Sequence, residues 1–296
     1  IHKLGHQRLE RIRRRAEPQS WHSDLEAVAR GEASDAGEPA KLSPDVSQFI
    51  GSEMMICAAG RKMAAISKEL SLAHILAGVG AANLSAWLCL HHLRAEGRSI
   101  ETMAEIGYFG YEPRPSDPYI FNFRNTPTCV STTDILTVLG MLVPDGRNLG
   151  SLGAAQVDRY GNVNSTCIPG KMHFMGSGGG NDVASGAKAV CVTAYLGKDK
   201  FKERVDYVTS PGKNVRLVVT DRGVFEKEPG ASELVLTGYY THGPTAYKSA
   251  EEAVREIKNL VGWDLKVREK LDAIGAPTKE ELELLRIYDP YGQFLR

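Results

Sequence analysis

Three short runs hold the residue types that could do chemistry. The first is Met175-Gly176-Ser177-Gly178-Gly179-Gly180-Asn181-Asp182, with four glycines in five positions ahead of a helix-like Val183-Ala184-Ser185. Clustered glycines let backbone amides approach a ligand with no Cβ in the way. The run lacks the Lys-Ser/Thr of a P-loop and the preceding strand of a dinucleotide fingerprint, so a ligand cradle and a tight structural turn both stay open. The second run is Met103-Ala104-Glu105-Ile106-Gly107, a carboxylate directly after an apolar strand pattern and two residues before a glycine. A Glu at a strand's end in an α/β fold lies where such folds place ligands, although an ordinary surface Glu is the plainer reading of this pentapeptide alone. The third is Gly78-Val79-Gly80 before a helical pattern, a candidate source of N–H donors for a developing oxyanion.

Other candidates carry less. His91 and His92 are adjacent on a helical pattern, but no carboxylate or third His sits at ligand spacing, so no metal site is expected. His173, just before the glycine run, could contact a ligand phosphate. Asn181 and Asp182 are expected to cap the next helix, with polar contacts to a ligand as the alternative.

Composition narrows the function classes. The 296 residues balance 36 Lys+Arg against 36 Asp+Glu, so no overall field draws the protein to nucleic acid or an anionic membrane. The five cysteines, Cys57, Cys89, Cys129, Cys167 and Cys191, form no CxxC pair, which argues against a disulfide framework or zinc knuckle and for a reducing compartment. Residues 71–90 are apolar enough in length to span a bilayer, but His74, the Gly78-Val79-Gly80 turn, Asn83 and Ser85 interrupt them, so no span is expected. The first 30 residues lack the apolar core of a signal peptide, and a cytoplasmic location is the expectation.

Residues 1–50 hold eight basic and eight acidic residues with little apolar periodicity. The basic run at 11–15 could touch an anionic partner, but it reads more plainly as a solvated helix face beside interleaved acids. This stretch is read as an N-terminal extension without chemistry, ahead of one domain at 51–296. From there helix and strand signals alternate. Helical composition spans 53–70, an apolar run covers 71–79, and Asn83 is expected to cap a helix carrying Leu84, Trp87, Leu88 and His91. A strand at 99–106 precedes a loop holding Pro113, Pro115, Pro118 and Pro127. A short helix at 133–143 and a strand at 149–157 follow, the strand ending in the turn Asp158-Arg159-Tyr160-Gly161. Strands are expected at 187–196, 204–209, 215–220 and 234–240, with a hairpin around Arg222-Gly223. A helix at 249–260 has Gly262 as its C′ residue, and Thr278 with Glu281 forms a capping box for the last helix. This alternation predicts an α/β sandwich with a mixed sheet.

Taken in order, the motifs resemble one family. Gly78-Val79-Gly80 and Glu105-Ile106-Gly107 are followed by Gln156-Val157-Asp158-Arg159-Tyr160-Gly161-Asn162-Val163-Asn164-Ser165-Thr166, the glycine run, and Thr209-Ser210-Pro211-Gly212. The series is similar to the β subunit of family I coenzyme A transferases, most closely the glutaconate type, over residues 51–296. The resemblance implies an open α/β sandwich of the coenzyme A transferase type and a homologous α-type partner chain. It also implies an acyl-CoA thioester and a carboxylic acid as substrates, with no tightly bound cofactor. It assigns Glu105 as the nucleophile that forms a glutamyl-CoA thioester, and Gly78, Gly80 and Gly107 to the active-site turns and oxyanion region. Gly176, Ser177, Gly178, Gly179, Gly180 and Asn181 fall to the CoA and acyl pocket. Ile106 stands where the compared transferases carry Ser, which opens the acyl pocket or the reaction type to change. Acyl-CoA decarboxylases and ring-opening CoA hydrolases share the heteromeric plan. The former are reported with Cys in place of the Glu and the latter with their essential Glu on the α-type chain, so Glu105 speaks against both. A non-catalytic partner subunit is the remaining alternative.

Overall fold

The middle strands of the sheet are buried on both faces, and that property sets the architecture. The computed structural model describes residues 45–115, 118–121, 123–228 and 230–295; the basic run at 11–15 lies outside the described residues. In chain order the strands are β1 (His74–Ala77), β2 (Glu101–Ala104), β3 (Tyr108–Phe109), β4 (Ser131–Thr132), β5 (Asn148–Gly153), β6 (Gln156–Asp158), β7 (Val163–Asn164) and β8 (Cys167–Ile168). They continue with β9 (Met172–His173), β10 (Ala189–Ala194), β11 (Phe201–Lys202), β12 (Val215–Thr220), β13 (Gly223–Glu226), β14 (Val235–Tyr240) and β15 (Lys266–Ile274). The helices are α1 (Gly51–Glu69), α2 (Ala81–Ala95), the single turn α3 (Ile135–Thr137), α4 (Gly180–Gly186), α5 (Ala250–Asn259) and α6 (Lys279–Tyr288).

One ten-stranded sheet runs in the order β15-β14-β13-β12-β10-β5-β1-β2-β3-β4. Its five middle strands, β12 to β2, are parallel; the β2–β3, β3–β4, β12–β13 and β13–β14 pairs are antiparallel, and β15 pairs parallel to β14. Side chains sort by the two-residue period of a strand. Ile75, Ala77, Leu149, Ala189, Cys191, Leu217 and Val219 enter one core with α1 and α2. Leu76, Leu152, Val190, Val192, Val215 and Val218 enter a second core with α4 and α5 on the opposite face. The expected α/β sandwich with a mixed sheet is the fold found. Segment 71–90 folds as β1, a turn and the start of α2, and among the described residues no helix is long and apolar enough to cross a membrane.

Several local expectations need correction. Asn83 does not cap α2: the chain turns at Gly80, which takes φ +82°, and the helix begins at Ala81. Asn83 is instead buried, and its Nδ2 donates to the carbonyl of Pro118. Residues 149–157 are not one strand, because β5 and β6 belong to different sheets. Residues 204–209 form no strand: Asp206 is held by Gln156 Nε2 (2.7 Å) and by Lys202 Nζ, so side chains take the place of a ladder. Residues 133–143 give only α3, followed by a five-residue π turn (Val138–Leu142) and a 3₁₀ turn (Val143–Asp145). Gly262 is not a left-handed C′ residue; its N–H donates to Phe201 O at 2.8 Å, and a Cβ there would lie 3.1 Å from that oxygen. β15 escapes pattern reading because its charge-rich sequence suits an exposed edge strand, where charge discourages pairing with other chains. The hairpin and the Thr278–Glu281 capping box are as expected.

Candidate active site

The crossover order places a crevice at one edge of the sheet. The chain passes from β1 to β2 on one side, then returns to β5 on the other side of β1. Open α/β sheets bind ligands outside the carboxyl ends of their strands at such a reversal. Because Leu76 pairs with Met103 and Ala77 with Ser151, the Gly78 turn stands between the Glu105 turn and the end of β5. All three sequence features sought for chemistry thus emerge at this edge.

Each turn is shaped by a glycine for its own reason. Gly107 has φ +104°, and a Cβ there would run into the carbonyl of Thr133. Its N–H donates to Ala104 O at 3.0 Å, which tightens the turn that presents Glu105. Gly78 donates to Ser151 O at 2.8 Å, and a Cβ would lie 2.5 Å from that oxygen. The amides of Gly78 and Gly107 are therefore engaged in building the turns, not pointed at a ligand. Gly80 begins α2, whose first-turn N–H groups have no side-chain cap and lend partial positive charge to this edge.

The decisive contact joins two features 74 residues apart. Gly179 N–H donates to Glu105 Oε2 at 2.6 Å. A Cβ on Gly179 would lie 2.5 Å from that same oxygen and 3.0 Å from both methyls of Leu139, which the π turn lays over the run. Gly178 takes φ +52° with its Cβ direction 3.4 Å from both Glu105 oxygens. Gly178 and Gly179 thus admit the carboxylate, while Gly176 faces open space and Gly180 makes only ordinary contact with Ser210 Oγ at 3.6 Å. Ser177 and Asn181 are exposed beside them. The cap of α4 is Gly179, with no side-chain bond, so Asn181 and Asp182 do not cap the helix; they lie within its first turn. Ile106 turns the other way and packs against the core on the α1–α2 side, so its apolar bulk is used in packing.

Beneath the glycine run lies a polar scaffold whose role the motif pattern did not disclose. Asp158 accepts from the amides of Tyr160 and Asn162, each at 2.9 Å. Asn162 Oδ1 then accepts from Gly212 N at 2.7 Å. Asn164 bridges Gln156 Oε1 and the Cys167 carbonyl, both at 2.7 Å. Lys227, buried, donates to Gly212 O; burial pushes its ammonium down to about 8 against the pull of Asp158. The long Gln-Val-Asp motif and the Thr-Ser-Pro-Gly motif therefore tie two loops together and set Ser210 under Gly180. His173 is exposed on the β8–β9 hairpin. An open cleft of about 320 Å³ lined by Gln156, Phe174, Tyr195 and Lys200 follows the ends of β5 and β10. His91 and His92 pair with Glu280 and Glu281, each at 3.0 Å, and no group of three metal-ligating side chains exists among the described residues.

Comparison with known proteins meets this geometry. Residues 144–242 match the family described as Coenzyme A transferase. Over that segment the chain is similar to coenzyme A transferases. It is 31% identical over 158 residues to a 3-oxoadipate CoA-transferase chain of Pseudomonas knackmussii, covering 47% of this chain and 57% of that protein. It is 32% identical over 171 residues to a glutaconate CoA-transferase chain of Acidaminococcus fermentans, covering 51% of this chain and 60% of that one. Both relatives are named as one subunit of their enzyme. The matches span less than two thirds of the length of either relative. In fold, the chain resembles the crystal structure of glutaconate coenzyme A-transferase from Acidaminococcus fermentans, with TM-score 0.68, 23% identity and coverage of 85% of this chain and 99% of that one. The decarboxylase AibA/AibB is similar in fold as well, with TM-score 0.65, 19% identity and coverage of 83% and 97%. Glu105 and the Gly78 turn lie outside the matched family segment, so their assignment rests on the site geometry and the motif resemblance.

Proposed function

We propose that this chain is the β-type subunit of a heteromeric CoA-transferase, acting with a homologous α-type chain to move CoA from an acyl-CoA to a carboxylic acid. The single observation that carries this reading is the Glu105–Gly179 contact, a carboxylate at a ligand-binding sheet edge held by one backbone N–H. Glu105 attacks the thioester carbonyl; the C–S bond breaks, giving an acyl-glutamyl anhydride and CoA thiolate. The thiolate attacks the Glu105 carbonyl, the C–O bond breaks, and the first acid leaves as its carboxylate. The acceptor carboxylate then attacks the glutamyl-CoA thioester, and the steps run in reverse. Splitting one exchange into these steps is what nucleophilic catalysis supplies.

The geometry gives Gly179 a second use. Held through Oε2, Glu105 keeps its other oxygen for attack. Once Glu105 is acylated or thioesterified, Oε2 is the oxygen on which negative charge develops when the glutamyl carbonyl is attacked. The N–H already in place is then an oxyanion donor, a contribution of roughly 10²–10³ in rate where such donors have been removed. Coenzyme A enters as substrate and not as a resident cofactor. The five cysteines are free thiols, which supports a reducing, cytoplasmic setting.

The test is chemical trapping. The complex is incubated with acyl-CoA, reduced with borohydride, digested and searched by mass spectrometry for a modified Glu105 peptide. An unmodified Glu105 in a complex that turns over acyl-CoA removes the mechanism.

A further inference from the structure

Lys227 carries an ammonium into the protein interior, where lysines are rare unless they are paired. Among the described residues no carboxylate forms an ion pair with it, and its Nζ donates instead to the neutral carbonyl of Gly212. A Cβ built on Gly161 would lie 3.3 Å from Nζ, so the ammonium sits between the 158–162 turn and the Gly212 loop. Asp158 is the charge that favours it. The other charges nearby are engaged elsewhere: Arg159 with Glu203 and Glu233, Arg216 with Glu69, and Glu226 and Glu228 with Arg268. The Tyr160 ring faces Arg159 and Arg204, and Lys213 is exposed. Burial outweighs Asp158 and holds the Lys227 ammonium near 8, so the fold gains stability as pH rises from about 8 toward 10.5. At pH 7 the charge is therefore kept at a cost to stability.

A chain of direct contacts leads from that charge to the amide that holds Glu105. Gly212 is gripped through both of its polar groups: Asn162 Oδ1 accepts from its N–H at 2.7 Å, and Lys227 donates to its carbonyl. A Cβ on Gly212 would run into Tyr160 O, so the loop lies flush on the 160–162 turn. Two residues earlier, Ser210 is buried, and its Oγ stands 3.6 Å from the Cβ position of Gly180. The other support under Gly180 is Leu152 Cδ2 at 3.8 Å, which belongs to β5. Gly180 is bonded to Gly179, whose N–H donates to Glu105 Oε2 at 2.6 Å. The place of that donor thus depends on Ser210, and Ser210 on the anchored Gly212.

We infer that Lys227 is a positioning residue for the reaction, holding Gly212 and Ser210 so that the Gly179 N–H is aimed at the Glu105 carboxylate. This rests on the transferase reading above and adds a residue remote from the reacting atoms. The charge matters to the hold, because an ammonium donates to a carbonyl more strongly than a neutral amine does. Loss of the Lys227 proton above about pH 8 therefore loosens the loop under Gly180.

The test follows kcat, KM and Tm of the intact complex with acetyl-CoA on both sides of pH 8, together with borohydride trapping of Glu105. Wild type is expected to lose about tenfold in kcat above pH 8, inside the ~10² that a displacement of about 1 Å from a distant change can cost. Lys227→Met, similar in length and uncharged, is expected to be about tenfold slower at pH 7 with little change in KM. Its Tm should stay at or above wild type, and its rate should show no fall above pH 8. Asn162→Ala leaves Lys227 as the sole grip on Gly212, so there the fall above pH 8 should deepen. A Lys227→Met enzyme with the wild-type rate overturns the inference. So does one whose Tm and rate drop together while the fall above pH 8 persists, which is the mark of a structural role only. If Lys227→Met does not fold, Asn162→Ala decides: a profile no steeper than wild type overturns the inference, and a steeper one supports it. Trapped Glu105 in wild type separates these failures from failure of the transferase reading, in which no adduct forms and both proposals fall.

Discussion

Glu105 and Gly179 make opposite demands on the same small volume, and mutation should separate them. Under the proposed mechanism Glu105→Ala removes the attacking group and is expected to cost at least ~10³ in rate while leaving the Tm near wild type. Glu105→Asp draws the carboxylate back by about 1 Å, which is expected to cost ~10². Single-turnover assays with an acyl-CoA measure both. For Gly179 the clash is with the carboxylate and with Leu139, so Gly179→Ala should displace Glu105 and abolish turnover in a folded protein. Gly176→Ala, introduced where nothing lies within 4 Å, should stay within about threefold of wild type. Equal losses at the two glycines would mean that the whole run, and not the Glu105 contact, is what matters.

Elements hold these residues through turns and clamps whose strength can be measured apart from catalysis. Gly107→Ala forces a left-handed φ onto a residue with a Cβ and drives it into Thr133, and should destabilise the fold by about 3 kcal/mol or more. The clamp on α6 gives a pH signature. Burial pushes the Glu281 carboxyl up, but His92 and Arg61 hydrogen bonds with the Thr278 amide outweigh it and hold it down to about 2. A carboxylate depressed in the folded state stabilises the protein above its unfolded value of 4.5, and that stabilisation fades as pH falls from 4.5 toward 2. The shift corresponds to on the order of 3 kcal/mol. Denaturant melts of wild type and Glu281→Gln should therefore differ most near pH 6 and converge only at about pH 2 and below. A gap that stays constant across that range would show that the clamp works through packing alone.

At the scale of the molecule, the face around the site is left unusually apolar. Leu136, Met141 and Met175 are each at least 70% exposed; the first two flank Leu139 and the third precedes the glycine run. Patches of this kind mark interaction surfaces. Purified alone, the chain should self-associate, and co-expression with an α-type chain should give one stable complex by light scattering. Leu136→Glu with Met141→Glu should reduce self-association and weaken that complex together. A monodisperse, fully active monomer would contradict the heteromeric reading.

Local pattern was enough to make the sheet's central strands, the long helices and the hairpin legible, because burial on both faces and helical spacing leave period signals within a few residues. The three runs with chemical potential were also legible, since glycine clustering and a carboxylate at a strand end are properties of neighbouring residues. What stayed hidden depended on contacts between distant segments. Asn83 and Gly262 look like caps by type, yet partners on other elements, Pro118 and Phe201, decide what they do. Residues 204–209 have strand composition but are held by Gln156, Lys202 and Val163, and no window of neighbours contains those partners. The same holds for the site. Sequence placed Glu105 and the glycines as candidates, while their union across 74 residues follows from strand order, from the π turn over Gly179, and from the reversal between β1 and β5. Pairwise distance between remote segments is a property of the packed sheet, and it is that distance which turns an ordinary Glu at a strand end into a held carboxylate.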